Sequence, residues 1–448
     1  DIFDEHGSSG PYNTAGGPRN GGRGNDGAWV EPQFRRTPIL AWYGMDADIL
    51  RIWHSLRRSP EFMLQFADRV VRHCFFGGAL TDANSRARWR AITDHVRIPM
   101  YAEYARWGDA RIVAPLNEPR RTPAAFDPEV ARVDGMMNGN VAQFIAALRA
   151  EQYYPTLDPP TFSEHGGVVA RGVAIDATNP NSSGRIYYTI DGSDPREAGG
   201  AIASSAFEWL TDLSIDRSTT VRARVKNDAE WSAVSAANFY VRSDLSNLEM
   251  TEIMYHPTDD GLVDGDAFEF VELHNAGTAA VDLSGVHFGE GLAFRFPVGT
   301  TLASDAYAVI VRDAREFARV HPGVAVAGQS LGELSNLGEV LDLRAPDGRA
   351  IASIPYDDRA PWTELADGDG FSLVPRYVRR ASDVAANATH CVPSQAVGGS
   401  PVRRDPATLD LPLAPDGGVD AGLPRDAGIL AEAGVDAIWP LERAADMD

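Results

Sequence analysis

The sequence predicts a multidomain, mainly β protein in which a helical region precedes two antiparallel β-sandwiches and a disordered acidic tail. Three observations predict it. Over residues 248–374, short apolar runs alternate with polar residues between turn signals (Asn275-Ala276-Gly277, Pro346-Asp347-Gly348, Asp367-Gly368-Asp369-Gly370), the pattern of half-buried antiparallel strands. From about residue 45 to 154 the apolar period is helical instead. From Asp405 onward acidic residues dominate and Asp-Ala-Gly recurs at 420–422 and 426–428, the composition of a self-repelling tether.

Taken in order, residues 1–40 are Gly-rich and too polar to bury a core. Gly22, Gly24 and Gly27 satisfy G-x-G-x-x-G, but no strand precedes them and no helix follows, so the segment reads as a solvated loop. Residues 41–155 form the helical region. Leu50, Trp53 and Leu56 stripe one helix, Phe62, Phe66, Val70 and Cys74 a second beyond Pro60, and Val141, Phe144, Ile145 and Leu148 the last. Thr81 is the expected N-cap of a helix packing through Ala87, Trp89 and Ile92. Residues 156–242 return to strands at Arg185–Ile190 and Thr220–Val225, giving a first, smaller sandwich. Residues 243–402 form the second, with strands over Leu248–Tyr255, Phe268–Asn275 and Phe371–Leu373, and residues 403–448 are the acidic linker.

At 448 residues the chain has room for several cores. Its net charge of −22 repels polyanions unless a local basic patch intervenes, so nucleic acid is not the expected partner. No run of 18 apolar residues exists, so no membrane span is expected. The chain opens at Asp1 without Met or a signal-like run, as a processed chain or a fragment does. Cys74 and Cys391 fall in different units and are expected to be unpaired, mostly buried thiols.

Asp259, Asp260, Asp264, Asp266 and Glu269 crowd one loop and strand start. Hard oxygen ligands at that density can hold Ca²⁺, although the spacing is not that of a helix–loop–helix site and acidic loops are common on an acidic protein. Asp191, Asp194, Asp367 and Asp369 flank glycines and read as turn residues bonded to their own backbone. The scattered histidines lack ligand spacing, and no Gly-x-Ser-x-Gly elbow occurs, so no catalytic residue is assigned. Three tryptophans receive structural roles. Trp107 packs at an ion-paired helix end between Glu103 and Asp109, Trp231 lies with Tyr187 and Tyr188 in the first sandwich, and Trp362 closes the open end of the second core.

Several segments resemble known families. The order of motifs from Leu248 through Val281-Asp282-Leu283-Ser284-Gly285 and Leu334–Gly338 to Trp362 and Asp367–Leu373 resembles the lamin-tail domain, an immunoglobulin-like sandwich of nuclear lamins and of many bacterial secreted proteins. Tyr187–Arg196, Val221–Val225 and Glu230-Trp231-Ser232 resemble the chitobiase C-terminal or fibronectin type III-like module. Ser59–Phe62, Phe66–Arg69, His73, Phe75-Phe76, Gly78–Thr81 and Glu103–Asp109 resemble the C-terminal part of the CotH family of spore-coat and surface proteins with an atypical kinase fold.

That combination implies the C-terminal portion of an exported bacterial protein, secreted or at the cell surface, whose sandwiches serve adhesion, display or binding of a cell-envelope protein or carbohydrate. The family's ATP and Mg²⁺ residues lie upstream. Only Ile2–His6 resembles their aspartate-bearing segment, with Glu5 and His6 matching and Phe3 where the aspartate would stand. Phosphoryl transfer also needs a positioned lysine, and the sole lysine is Lys226, in a sandwich strand. The chain is therefore expected to be non-catalytic, ATP/Mg²⁺ entering only through an upstream lobe, and the alternative is a CotH-type kinase with that lobe.

Overall fold

In a computed structural model, residues 52–53, 55–107, 122–376 and 388–409 are described. The Gly-rich segment, Leu50, Asp109 and the tail beyond 409 lie outside them.

Four helices lead the described chain: α1 Pro60–Cys74, α2 Asp82–Trp107, α3 Phe126–Met136 and α4 Asn140–Ala150. Ser59 caps α1, its Oγ accepting the Phe62 amide at 3.3 Å, and Pro60 follows at N1, where its missing N–H costs nothing. Val70, Val71 and Cys74 of α1 meet Ile145 and Leu148 of α4 in a small core that also takes Ala233 of the first sandwich. Trp53 sets its ring edge-on to Phe62, Phe66 and Tyr153. The helical region is therefore joined to the sandwich, not a separate body.

Thr81 caps α2 as expected, its Oγ1 accepting the Asn84 amide at 3.3 Å. The apolar stripe expected on α2 does not form: Ala87 and Ile92 are exposed, and the one buried residue of the helix is Thr93. Polar contacts hold the first half of α2 to α3 instead, while Tyr101 and Tyr104 farther along set their rings edge-on to Phe126. Arg86 and Arg90 both pair with Asp134, and Trp89 Nε1 donates to the Val130 carbonyl at 3.0 Å.

The first sandwich is built on β1 Gly167–Val169, β2 Arg185–Thr189, β3 Phe207–Glu208, β4 Thr219–Asn227 and β5 Ser235–Val241, hydrogen-bonded in the order β1-β5-β4-β2-β3. Only β1–β5 is parallel. Its core is Ile175, Ile186, Ile215, Val221, Ala223, Val225 and Phe239.

In the second sandwich the strands are β6 Leu248–Met254, β7 Phe270–Asn275, β8 His287–Glu290, β9 Tyr307–Val311, β10 Val326–Gln329, β11 Glu339–Arg344, β12 Ala350–Tyr356, β13 Leu373–Pro375 and β14 Cys391–Pro393. A six-stranded sheet, β10-β9-β7-β6-β13-β14, packs over the three-stranded sheet β8-β11-β12. Leu248, Ile253, Val271, Leu273 and Ile310 meet Phe288, Leu341, Leu343 and Ile351 between them. The period-2 pattern gives this sheet a second buried face. Met254, Phe270, Val309 and Val311 turn outward and are covered by Phe317 of a short helix, α5 Ala314–Val320, which the sequence reading did not anticipate.

The acidic linker begins later than expected. Residues 403–409 pack on the second sandwich, with Asp405 only 4 % exposed and the Leu409 amide donating to the Arg376 carbonyl at 2.8 Å. The two cysteines form no disulfide: Cys74 is buried in the helical core and Cys391 is half-buried on β14.

Candidate functional site

The five acidic residues of the calcium expectation are drawn to different partners within and around their loop. Asp259 Oδ1 accepts the Gly265 amide at 2.6 Å, and Asp264 Oδ1 accepts the Asp266 amide at 3.1 Å. Asp260 accepts the Val263 and Leu262 amides and pairs with Arg319, which together hold its carboxyl down at about 2. Asp266 Oδ1 accepts from Asn336 Nδ2 at 3.1 Å, while Arg312 Nη1 lies 3.6 Å from its other oxygen. Glu269 is 1 % exposed, takes the Leu334 amide at 2.9 Å, and is pushed up to about 8 by burial. Turn amides, Asn336 and Arg319 thus engage oxygens of Asp259, Asp260, Asp264 and Asp266 and shape the loop, whereas the buried Glu269 Oε1 has no hydrogen-bond partner and stands 3.8 Å from Arg312 Nη1. Among the described residues no group of three or more His, Cys, Asp or Glu is placed to hold a metal.

The turn aspartates divide. Asp191 accepts the Ser193 amide at 2.9 Å, as read from the sequence. Asp367 instead meets His256 Nδ1 at 2.6 Å. Asp194 does more than cap the Arg196 amide: with Asp68 of α1 it encloses Arg224, which is 1 % exposed. Arg224 donates from Nε and Nη2 to Asp194 at 2.7 and 2.5 Å, from Nη1 and Nη2 to Asp68 at 2.8 and 2.6 Å, and to the Ser232 carbonyl at 2.9 Å. Burial raises the Asp68 carboxyl, the guanidinium offsetting only part of it. At Asp194 burial pushes the same way, but the bonds and charge of Arg224 outweigh it and the carboxyl is lowered. A second clamp lies beside the first. Arg196 holds Glu61 of α1 through two bonds of 2.6 and 2.8 Å, and with the Gly199 amide keeps the Glu61 carboxyl at about 2. No spacing rule in the sequence pointed to these long-range pairs.

The tryptophans fall into three situations. Trp231 is buried and its Nε1 donates to the Gly200 carbonyl at 2.9 Å. Trp362 is half-buried and packs at the rim of the second core. The expectation for Trp107 needs correcting: it ends α2 with 55 % of its surface exposed, faced at 5.0 Å by the Arg106 guanidinium rather than by a core, because the apolar contact at this end of α2 is made by Tyr104, edge-on to Phe126. Tyr187 and Tyr188 are both half-buried. Tyr188 lies against Trp209 and Phe207, and Phe207 and Leu210 are 56 % and 77 % exposed along the free edge of the sheet. Lys226 sits on β4 with its Nζ 5.7 Å from the Trp231 ring centre and donates to the Asp228 carbonyl.

The two sandwiches also touch. Ser218 Oγ donates to Asp282 Oδ2 at 2.5 Å and accepts the Val241 amide at 3.0 Å. Gly285, at φ +73°, lets the Tyr240 ring approach where a Cβ would lie 2.5 Å from it. A crevice of mixed character between them is lined by Val168, Tyr240, Leu245 and Pro346 together with Arg242 and Asp347.

Residues 242–358 match the family model described as Lamin Tail Domain. Residues 173–239 match the model described as Fn3 associated. The second sandwich is thus a lamin-tail, immunoglobulin-like fold, and the chain is mainly β with several antiparallel sheets and few helices. No curated protein matches the chain. Among solved structures it is similar to a DUF4876 family protein from Bacteroides thetaiotaomicron VPI-5482, at 12 % identity over 55 % of this chain and 96 % of that one, with a TM-score of 0.24. Neither family model reaches the CotH-like segments at 59–109. No described helix is long and apolar enough to cross a membrane.

Proposed function

We propose that this chain is a non-catalytic portion of an exported bacterial surface protein, in which coupled β-sandwiches serve adhesion, display or ligand binding at the cell envelope. The observation that carries the reading is the coupling itself. Two bidentate arginine clamps, the buried one of Arg224 and the more exposed one of Arg196, join α1 to the first sandwich, and Ser218, Asp282 and the Tyr240–Gly285 contact join the first sandwich to the second. Such joints suit a spacer that must present a surface at a fixed attitude, whereas enzymes more often leave freedom to close around a substrate. The exposed rings and aliphatic groups of residues 202–210 supply a contact edge for an envelope protein or carbohydrate.

Saturable binding of the full chain to isolated bacterial envelope, reduced at least fivefold by Phe207→Ala together with Leu210→Ser, is the expected result. Binding that fails to saturate, or is indifferent to both changes, rejects the reading. The alternative, a CotH-type kinase, rests on the resemblance of residues 59–109. Lys226, engaged with Trp231 and Asp228 on a sandwich strand, gives it no support. Micromolar ATP·Mg²⁺ binding by this chain would favour the kinase.

A further inference from the structure

The outward face of β6 and β7 carries two acids that no role described so far uses. Glu252 and Glu272 are cross-strand neighbours, 2 % and 0 % exposed. They are buried because residues 394–409 cross over them as a strap, a segment beyond the lamin-tail match. The Ser400 amide donates to Glu252 Oε1 at 2.8 Å, where the Ser372 hydroxyl also donates, and Ser400 Oγ lies 3.4 Å from Oε2. The Val402 amide donates to Glu272 Oε2, and Thr251 Oγ1 to Oε1 at 2.7 Å. Gly399, at φ +79°, permits this approach, since a Cβ there would stand 2.2 Å from Glu252 Oε1 and 3.1 Å from the Phe270 ring. The strap is pinned at its ends by Ser394, exchanging backbone and side-chain bonds with Ser372, and by Leu409 on Arg376.

The charged and titratable groups around the pair come from every element packed there. Asp405 of the strap adds negative charge to Glu252. His274 of β7 faces Glu272 but is already engaged by Asp305 and Glu249. Tyr307 of β9 feels Glu272, Asp305, Glu249 and Arg404, and His321 beyond α5 feels Arg403 and bonds Gly398. The donors to the two carboxylates are the Ser400 and Val402 amides and the Ser372, Ser400 and Thr251 hydroxyls, in contrast to the guanidinium of the Arg224 clamp.

We propose that residues 394–409 are a proton-locked clasp, closed over β6 and β7 while the Glu252–Glu272 pair holds a proton and released when both carboxylates ionise. Two adjacent negative charges under cover lack the solvation that an open face would give them. Burial accordingly pushes Glu252 up to about 7 and Glu272 to about 8. Both values lie above the ordinary 4.5, so closure is complete below that pH and is lost as pH rises through about 7 to 8. Release uncovers Phe270 and the acid pair, a face that mildly alkaline surroundings would present.

The test is amide hydrogen exchange on the full chain at pH 6 and pH 9, corrected for the intrinsic pH dependence of exchange. The expected result is that protection at Ser400 and Val402 falls at least tenfold relative to the core amide of Val271. A ratio constant across that range overturns the clasp. In a second measurement, Glu252→Gln/Glu272→Gln, which carries no charge at any pH, should hold the strap closed at pH 9 and be cut after Arg403 or Arg404 at least tenfold more slowly than wild type. Equal cutting of the two proteins also overturns it. Should the variant not fold, the exchange ratio of the unaltered chain decides alone.

Discussion

Removing the guanidinium at position 224 should cost more than almost any other single change in the chain. Arg224→Met deletes five hydrogen bonds and leaves Asp68 and Asp194 facing each other in a site where the Asp68 side chain is only 18 % exposed. Breaking a buried pair by removing one partner typically costs about 3–5 kcal/mol, because the residual charges have lost both water and partner. For a unit of 150–250 residues each kcal/mol moves the melting temperature by about 2–4 °C, so a drop of roughly 6–20 °C is expected for the transition that includes α1 and the first sandwich. Scanning calorimetry of the full chain reads it directly. The triple change Arg224→Met/Asp68→Leu/Asp194→Leu removes the stranded charges and should regain most of the loss. A single-variant shift under about 2 °C, or a triple variant no better than the single, would refute the argument that unpaired buried charge dominates this joint.

Trp362→Ala should lower the stability of the second sandwich by about 2 kcal/mol, less than the ~3–5 kcal/mol of a fully buried ring, because it sits at the rim of the core; chemical denaturation followed by far-UV dichroism measures this. Asp313→Ala removes the cap that accepts the Arg315 and Glu316 amides of α5, and a loss of about 1 kcal/mol in the same assay is expected. Calcium at millimolar concentration should leave the melting temperature unchanged, since amides and guanidinium groups hold Asp259, Asp260, Asp264 and Asp266; a rise of several degrees would restore the cation reading. Glu269→Gln should flatten the decline of melting temperature between pH 5 and pH 9. The folded carboxyl is raised to about 8, so its contribution is full below the ordinary glutamate value and lost as pH rises through about 8.

The fold was largely legible in the sequence because a two-residue period needs only local information. Leu248–Met254, Phe270–Asn275 and Arg185–Thr189 form strands where alternation and flanking turns placed them. Helix α2 was misread for a related reason. Ala87, Trp89 and Ile92 were apolar enough to suggest a stripe, yet Arg86 and Arg90 made the contact with α3, and a hydrophobic pattern does not weigh ion pairs. Helix α5 had a usable signal in Asp313 ahead of Ala-Arg-Glu, an N-cap two residues past a strand. The acids of 259–269 were visible as a cluster but not as loop scaffolding, since their partners Arg312, Arg319 and Asn336 are remote in sequence. Glu252 and Glu272 carried the clearest overlooked sign: acids within otherwise apolar strands, at positions that demand either water or a cover.

The lone lysine has a practical consequence. Lys226 lies on a central strand of the first sandwich, and its position is fixed between the Trp231 ring and the Asp228 carbonyl. Amine-reactive reagents therefore meet one side chain in this sequence, along with the chain's terminal amine. With the terminal amine blocked first, coupling through Lys226 at a pH high enough to free its amine would tether every molecule to a sensor surface or a dye in the same orientation, leaving the residue 202–210 edge and the 394–409 strap chemically untouched.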